Sequence, residues 1–382
     1  MFARVSTYGI AIAALLMTAC SQNETEPKTV PTEEPVAITF SVTEPATTRT
    51  TNGYAGFIDA DNQQLKHTGF GVFAGQHADS IPDMMYNQKV TYTFLADDKK
   101  NGYWSYYPIK YWPADPRGLY FAAYAPYVES TSGLENGTTG ITGMTANNQE
   151  PYLDYTLSEE LDETVDLLWT CHRPTELSPF SFNMYHALAR VAVNVKLKDV
   201  LNAEDSYKTS TTKVLIRKIT LSTTTAAKTG RLKLDTDNVE KIDDKWYHYP
   251  TWTGQTTGSR TVDILNIDNP SSYGIIAEEI RYIEGMPYSW QPDGLQLKYN
   301  EDSSKWEGVL ANALCAADHH QAYVYFIPND AGLTLDCKVY YTLMDEAGNK
   351  YNGCKTRTDP VVINPLRGNR TYQLNLEINP TP

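Results

Sequence analysis

The segment LTLDCKVYYTL, residues 333–343, alternates between apolar and polar side chains along most of its length. Every second residue from Leu333 to Leu343 is apolar or aromatic, whereas Thr334, Asp336 and Lys338 lie between them. Successive side chains of a strand point to opposite faces of its sheet, so this pattern predicts a half-buried antiparallel strand. The segment decides the fold class because similar patterns recur along the chain.

Several other segments have the same strand character, and helical signals are limited to two short stretches, 158–166 and 277–283. Many alternating strands without a strand–helix–strand pattern predict an all-β fold of antiparallel β-sandwiches. The further strand-like segments are Ile38–Val42, Phe70–Ala74, Val90–Phe94, Leu119–Ala123, Val191–Leu197, Leu295–Tyr299 and Tyr372–Ile378.

Length and charge restrict the organisation of the chain. Its 382 residues with 41% hydrophobic content are enough for two globular cores. A polar stretch at residues 201–213 places a boundary there, which predicts an N-terminal domain at 37–205 and a C-terminal domain at 206–382.

A net charge of −14 argues against nucleic acid as a partner, because binding to phosphates needs clustered Lys and Arg.

The N-terminus has the features of an export signal. Residues 9–19 form an apolar run that is too short to span a bilayer, which predicts a signal peptide at 1–19. The end of this run, LMTAC at 16–20, resembles a bacterial lipobox that would leave Cys20 as a lipidated N-terminus, although Met17 replaces the expected leucine. An ordinary secretory signal with an incidental Cys20 is the alternative. Residues 20–36 are rich in Pro, Thr and Glu and predict a flexible linker.

The remaining cysteines match no zinc or redox spacing. A hairpin turn near residues 347–348 would place Cys354 opposite Tyr341 and on the same face as Cys337, but four residues out of register and too far away for a disulfide. We therefore expect these cysteines to be small buried hydrophobic residues. They are Cys171, Cys315, Cys337 and Cys354.

Catalytic and metal-binding patterns are weak. The chain has no GxSxG, HExxH, phosphate-loop or dinucleotide motif. His319-His320 has no suitably spaced third ligand, and the acidic segments 59–62 and 235–238 lack the glycine and distal glutamate of a calcium loop, which favours loop histidines and polar turns. We therefore predict no catalytic residue, no metal, no cofactor and no enzymatic activity.

Aromatic residues between 103 and 112 form a candidate ligand platform. Trp104, Tyr106 and Trp112 could stack on sugar rings if their faces were exposed. On an alternating strand, however, half of these rings would face the core. Packing is therefore the alternative interpretation.

Several short segments, taken in order, resemble the fimbrillin (type V pilin) family of Gram-negative anaerobes, in its FimA/Mfa-like branch. The resemblance implies two tandem transthyretin-like β-sandwich domains, export to the outer membrane as a lipoprotein, removal of the N-terminal arm after an arginine, and assembly with other fimbrial subunits at the cell surface. The segments are 46–50 (ATTRT), 70–75 (FGVFAG), 111–113 (YWP), 121–127 (FAAYAPY), 186–191 (HALARV), 326–328 (FIP) and 368–372 (GNRTY).

Arg49 is the candidate processing residue. It lies within TTRTT, a small polar run that a protease could bind in extended form, and cleavage would leave Thr50 as the new N-terminus. The strand carrying Ile38, Phe40 and Val42 directly precedes it and would become a displaced or donor strand, whose groove a strand of another subunit could fill. A solvated linker arginine is the alternative.

The role within a fimbria is a further expectation. Stalk pilins of this family carry another strand after the motif matched by 368–372, whereas here the last predicted strand ends at Ile378. This difference favours a tip, minor or accessory subunit that binds a host protein or glycan. The alternative function is an outer-membrane lipoprotein that stays monomeric and captures glycans on its aromatic rings.

Overall fold

Strands form almost all of the regular structure. The computed structural model describes residues 35–43, 63–76, 84–96, 98–115, 118–129, 140–145, 150–159, 164–197, 213–242, 244–266, 288–291, 294–300, 305–307, 323–356 and 359–378. One short helix, α1 (Gln63–Thr68), lies after the first strand. The strands are β1 (Phe40–Thr43), β2 (Phe70–Gln76), β3 (Met85–Leu95), β4 (Asp98–Ser105), β5 (Leu119–Ala125), β6 (Ile141–Thr145), β7 (Tyr152–Thr156), β8 (Leu168–His172), β9 (Phe180–Asn183), β10 (Tyr185–His186), β11 (Ala189–Leu197), β12 (Lys213–Ile242), β13 (Lys245–Asn266), β14 (Tyr288–Gln291), β15 (Gly294–Asn300), β16 (Lys305–Glu307), β17 (Tyr323–Phe326), β18 (Leu333–Met344), β19 (Lys350–Thr356), β20 (Val361–Ile363) and β21 (Thr371–Ile378).

The strands form several sheets, which confirms the predicted all-β class. A six-stranded sheet has the order β10-β8-β5-β2-β3-β4, and a larger sheet contains the path β14-β15-β12-β18-β19. Strand β11 lies between β17 and β21, whereas β9 is the one described strand that pairs with β1. Pairing between the described strands is antiparallel except for β1 with β9 and β11 with β21, which run parallel.

Strand β18 contains residues 333–343, and its burial follows the predicted alternation. Leu335, Cys337 and Val339 are buried, whereas Asp336 and Lys338 are exposed. The strand lies between β12 and β19, so its backbone is paired on both sides and one of its faces packs against the core.

The register of the β18–β19 hairpin differs from the prediction by one residue. Tyr340, not Tyr341, lies opposite Cys354, because Asp345 belongs to the turn, where its carboxylate accepts hydrogen bonds from Asn349. A one-residue shift moves a side chain to the other face of the sheet. Cys354 is therefore exposed and not buried as expected, whereas the prediction for Cys337 is confirmed.

The described cysteines, Cys171, Cys337 and Cys354, form no disulfide with one another. Cys171 is partly exposed, so it also departs from the expected full burial, and burial of its sulfur raises the pKa of its thiol to about 12. Cys315 lies outside the described residues.

Buried side chains form two clusters. The N-terminal core contains buried residues between Ile38 and Met184, and the large core contains buried residues between Phe73 and Leu376. Strands β7 and β11 pair with strands that follow residue 206, and residues Ala37–Pro382 form one compact unit. The tandem division into 37–205 and 206–382, and its transthyretin-like character, stay predictions.

Three local expectations differ from the structure or lie outside it. Helix α1 was not predicted from the sequence, and the described parts of 158–166 are not helical. Residues 235–238 lie within β12, where its register with β13 is interrupted, and not in a turn. The expected helix at 277–283 lies outside the described residues, among which no helix has the length and apolar character needed to cross a bilayer.

Candidate functional site

The first strand and the residues just before it make backbone contacts with two segments, β9 and residues 110–111. Phe40 lies opposite Phe180 in the parallel β1–β9 pair, and Ala37 forms an isolated bridge with Tyr111 on the other side. The amide of Ile38 donates to the carbonyl of Lys110 at 2.9 Å. The strand predicted at 38–42 is therefore found in part: β1 begins at Phe40, and Ile38 lies just before it and is held by its backbone hydrogen bond to Lys110.

The side chains predicted to share one face of this strand do so. Ile38 is fully buried, Phe40 is 9% exposed, and Val42 is half-buried against the N-terminal core. Thr39 and Ser41, which alternate with them, are exposed. Because its inward face is apolar and its outward face is polar, the strand covers one side of the N-terminal core.

The ring of Phe40 lies among four other aromatic rings. Its centroid is 5.2 Å from Phe182, 5.4 Å from Tyr106, 5.8 Å from Phe180 and 6.0 Å from Phe70. Aromatic pairs at such distances contribute about 0.5–1.5 kcal/mol beyond their buried area. We call these five residues the aromatic cluster, and β1 supplies one of them.

Tyr106 makes two different contacts with the first strand. Its ring stacks on Phe40 with an interplanar angle of 7°, and its hydroxyl donates to the carbonyl of Ile38 at 2.9 Å. The amide of Lys110 donates to the same hydroxyl at 3.4 Å. Burial raises the pKa of Tyr106 above its ordinary value, so the phenol stays neutral and can donate this hydrogen bond.

Strand β9, which completes this site, is missing from the strands predicted from sequence. Its segment, Phe180-Ser181-Phe182-Asn183, does alternate, but it is only four residues long. Phe180 also stacks on His172 at 4.3 Å, and burial lowers the pKa of that histidine. The alternating phenylalanines could have indicated a strand here. The sequence gives no signal, however, for the pairing of this strand with β1, which is far away in sequence.

The three rings of the proposed ligand platform pack in the N-terminal core. Trp112 and Tyr106 are 8% and 9% exposed, and half-buried Trp104 lies edge-on to Phe70 at 5.0 Å. A buried ring has no face open to a sugar, so the structure contradicts an open platform at Tyr106 and Trp112. The exposed aromatic side chains of the same segment are Tyr103, Tyr107 and Tyr111.

The residues predicted for lipidation and processing, Cys20, Arg49 and Thr50, lie outside the described residues, and so do His319-His320. Their roles stay predictions. In the part of the chain that is described, no three His, Cys, Asp or Glu side chains cluster as a metal site would require.

A cavity lies between β12, β13 and the loops that precede β18 and β21. This cavity has a volume of about 400 Å³. Several of its polar groups bind one another: Asn238 donates to the Thr251 hydroxyl at 2.6 Å, and Arg367 forms an ion pair with Asp330. These contacts use part of the hydrogen-bonding capacity of the polar lining.

Comparison with known proteins gives the same family as the sequence motifs. The fimbrillin-like family matches residues 48–381. The fimbrium subunit Fim1C of Phocaeicola vulgatus is 25% identical over 260 residues, a match that covers 63% of this chain and 63% of the length of that relative. A solved fimbrial protein from Bacteroides vulgatus has the same fold, with a TM-score of 0.54 and 20% identity over 90% of this chain and 96% of its own. The chain therefore belongs to the fimbrillin-like family.

Proposed function

We propose that this chain is a subunit of a surface fimbria and that it joins its neighbours by exchange of the first strand. Family membership supports a structural role, and the relative from Phocaeicola vulgatus is itself a fimbrium subunit. The observation that carries the proposal is the way β1 is held. It is a short strand that completes the aromatic cluster, and it directly precedes the segment that contains Arg49.

Cleavage after Arg49 would leave only non-covalent contacts between β1 and the rest of the chain. The strand has four residues and, among the described strands, pairs with β9 alone, while the residues before it add the Ala37–Tyr111 bridge and the Ile38–Lys110 hydrogen bond, so a small number of described backbone hydrogen bonds would oppose its departure. Its departure would uncover the other rings of the aromatic cluster beside an unpaired strand edge. An unpaired edge next to an apolar groove is the arrangement that binds an added strand.

Export and anchoring form the first part of the proposed pathway. Lipidation at Cys20 would hold the chain at the outer membrane, firmly if two or three acyl chains are attached. Processing would then release the folded part, beginning at Thr50, for assembly with other fimbrial subunits. The family match begins at residue 48, so the arm that carries β1 lies outside the matched region. A tip, minor or accessory position, with a host protein or glycan as receptor, is the sequence-based proposal for its place in the fimbria.

Limited digestion of the purified chain with an arginine-specific protease tests this proposal. We expect a new N-terminus at Thr50 by mass spectrometry, retention of the arm until another subunit supplies a competing strand, and then oligomers by size-exclusion chromatography. The matched control is Arg49→Lys, which keeps the positive charge but resists the protease. Cleavage at Arg49 that neither frees the arm nor changes the oligomeric state would contradict strand exchange.

The N-terminal residue of the protein recovered from cell surfaces tests the processing step separately. Thr50 at this position supports removal of the arm, whereas a lipidated Cys20 as the sole N-terminus would indicate a permanent anchor and contradict the proposal.

A further inference from the structure

We infer that the groove occupied by β1 selects its incoming strand by two side chains, a branched aliphatic residue and, two positions later, an aromatic residue, and that Tyr106 determines their register. The occupant would be a strand of a second subunit that runs parallel to β9. This inference rests on the proposed strand exchange and adds the chemistry that the exchanged strand must have.

The aromatic preference follows from the surroundings of Phe40. The rings of Phe70, Tyr106, Phe180 and Phe182 all have centroids within 6.0 Å of its own, and Phe40 is 9% exposed. A small residue at this position would leave a void, and protein interiors are too closely packed to close such a void cheaply. A charged residue would be buried without a partner.

The position of Ile38 has a different requirement. This side chain is fully buried, and both backbone groups of the residue are hydrogen-bonded, the amide to Lys110 and the carbonyl to the Tyr106 hydroxyl. Any residue except proline, which lacks the backbone N–H, could make the two backbone hydrogen bonds, so these contacts mainly set the position of the strand and not its sequence. The buried site itself is filled by a β-branched aliphatic side chain, and a larger ring there would overpack the core.

Tyr106 couples the two positions. Its ring stacks on the aromatic residue while its hydroxyl binds the carbonyl two positions earlier, so one side chain holds both residues in register. A slip of one residue would turn the polar side chains inward. A slip of two residues would put Phe40 into the site of Ile38 and the smaller Val42 among the four rings. Thr39 and Ser41 are exposed, so we expect no selection at these positions.

The test uses the full chain after cleavage at Arg49 and release of its arm, with fluorescent peptides of residues 35–48 as probes in an anisotropy titration. We expect the native peptide to bind, Phe40→Ala to weaken binding roughly 100-fold, and Phe40→Leu to weaken it less. The decisive peptide exchanges the two side chains, Ile38→Phe with Phe40→Ile, and keeps the composition constant. We expect it to bind roughly 100-fold more weakly, since both sites are then mismatched. Ser41→Ala is the matched control and should bind like the native peptide.

Substitution in the groove tests the role of Tyr106. We expect Tyr106→Phe, which keeps the stacked ring, to weaken binding of the native peptide roughly tenfold through loss of the hydroxyl contact. If this variant does not fold, the peptide series on the unsubstituted protein still decides the question.

The outcomes separate the two proposals. Equal binding of the native and exchanged peptides would overturn the selection rule and leave strand exchange intact. Failure of the native peptide to bind a groove from which the arm has been released would overturn strand exchange, and the selection rule with it. Tight binding of the native peptide with a large loss for the exchanged peptide supports both.

Discussion

Strands β1 and β21 both run parallel to a neighbour, but they are held by different kinds of contact. Strand β1 has four residues and pairs with β9 in a sheet of two strands. Strand β21 has eight residues, all in register with β11, which is itself paired with β17 on its other side. The backbone ladder is therefore about twice as long at β21, and it is continuous with a further strand.

The buried side chains of the two strands also differ in kind and in the core that they join. Strand β1 adds Phe40 to a cluster of rings, whereas β21 places the aliphatic residues Leu374 and Leu376 in the large core. A strand held mainly by filling a shaped site can be replaced by another strand of similar shape. A strand held by a long ladder cannot leave without opening the sheet. These differences favour exchange at the first strand and not at the last.

Removal of β21 should have the largest effect. We expect a chain truncated after Arg370 to lose cooperative urea unfolding by circular dichroism. The truncation removes the eight-residue ladder with β11, which leaves that central strand unpaired on one side, together with the burial of Leu374 and Leu376, which contributes about 3–6 kcal/mol. Release of the cleaved arm should leave the rest of the chain folded and cooperative. Similar behaviour of the two shortened chains would break the comparison.

Substitution of Phe40 by Ala should have the next largest effect. We expect the free energy of unfolding of the uncut chain to fall by about 3–5 kcal/mol, because the substitution leaves a cavity among four rings. The control is Ser41→Ala on the exposed face of the same strand, with an expected change within about 0.5 kcal/mol. Urea titration measures both, and equal values would show that Phe40 does not anchor β1.

The hydroxyl of Tyr106 should contribute a smaller amount. We expect Tyr106→Phe to lower the free energy of unfolding by about 0.5–1.5 kcal/mol, since the ring stays in place and one hydrogen bond to Ile38 is lost. The matched control is Tyr107→Phe, because this neighbouring side chain is 86% exposed. A change at Tyr107 as large as that at Tyr106 would assign the effect to something other than the contact with β1.

The pH dependence of the contribution of Tyr106 to stability should be the smallest effect. Burial raises the pKa of Tyr106 above its ordinary value of 10.0, so the unfolded chain releases this proton first as the pH rises. The stabilising contribution of Tyr106 is therefore complete below pH 10 and is lost as the pH rises through the folded-state pKa. We expect the stability advantage of the natural chain over Tyr106→Phe to shrink between pH 9 and pH 11, as measured by urea titration at each pH.

Tyr124 and Tyr155 also have pKa values raised by burial, and both tyrosines are present in the two proteins being compared. Their contributions therefore cancel in the difference. A difference that stays constant from pH 9 to pH 11 would contradict the assignment to Tyr106.

Features that depend on local pattern were predictable. The alternation of β18 and β11 is visible in the sequence, and so is most of β1, which was expected at 38–42 and is found at 40–43. The register of the β18–β19 hairpin was not, because it depends on how Asp345 and Asn349 close their turn. For the aromatic residues, the sequence left core packing and ligand binding open, and burial of Tyr106 and Trp112 answered the question.

The sequence by itself shows three features: the apolar–polar alternation of the strands, the order of the motifs, and a strand between Cys20 and Arg49. Each of them depends on residues that are close together in sequence. They establish the β class, point to the family and single out the segment that exchange would use. The pairing of β1 with β9 and the stacking of Phe40 on Tyr106 join residues far apart in sequence. Such contacts depend on the path of the folded chain, since many segments of similar alternation could have become neighbours, and packing of these particular rings selected one arrangement.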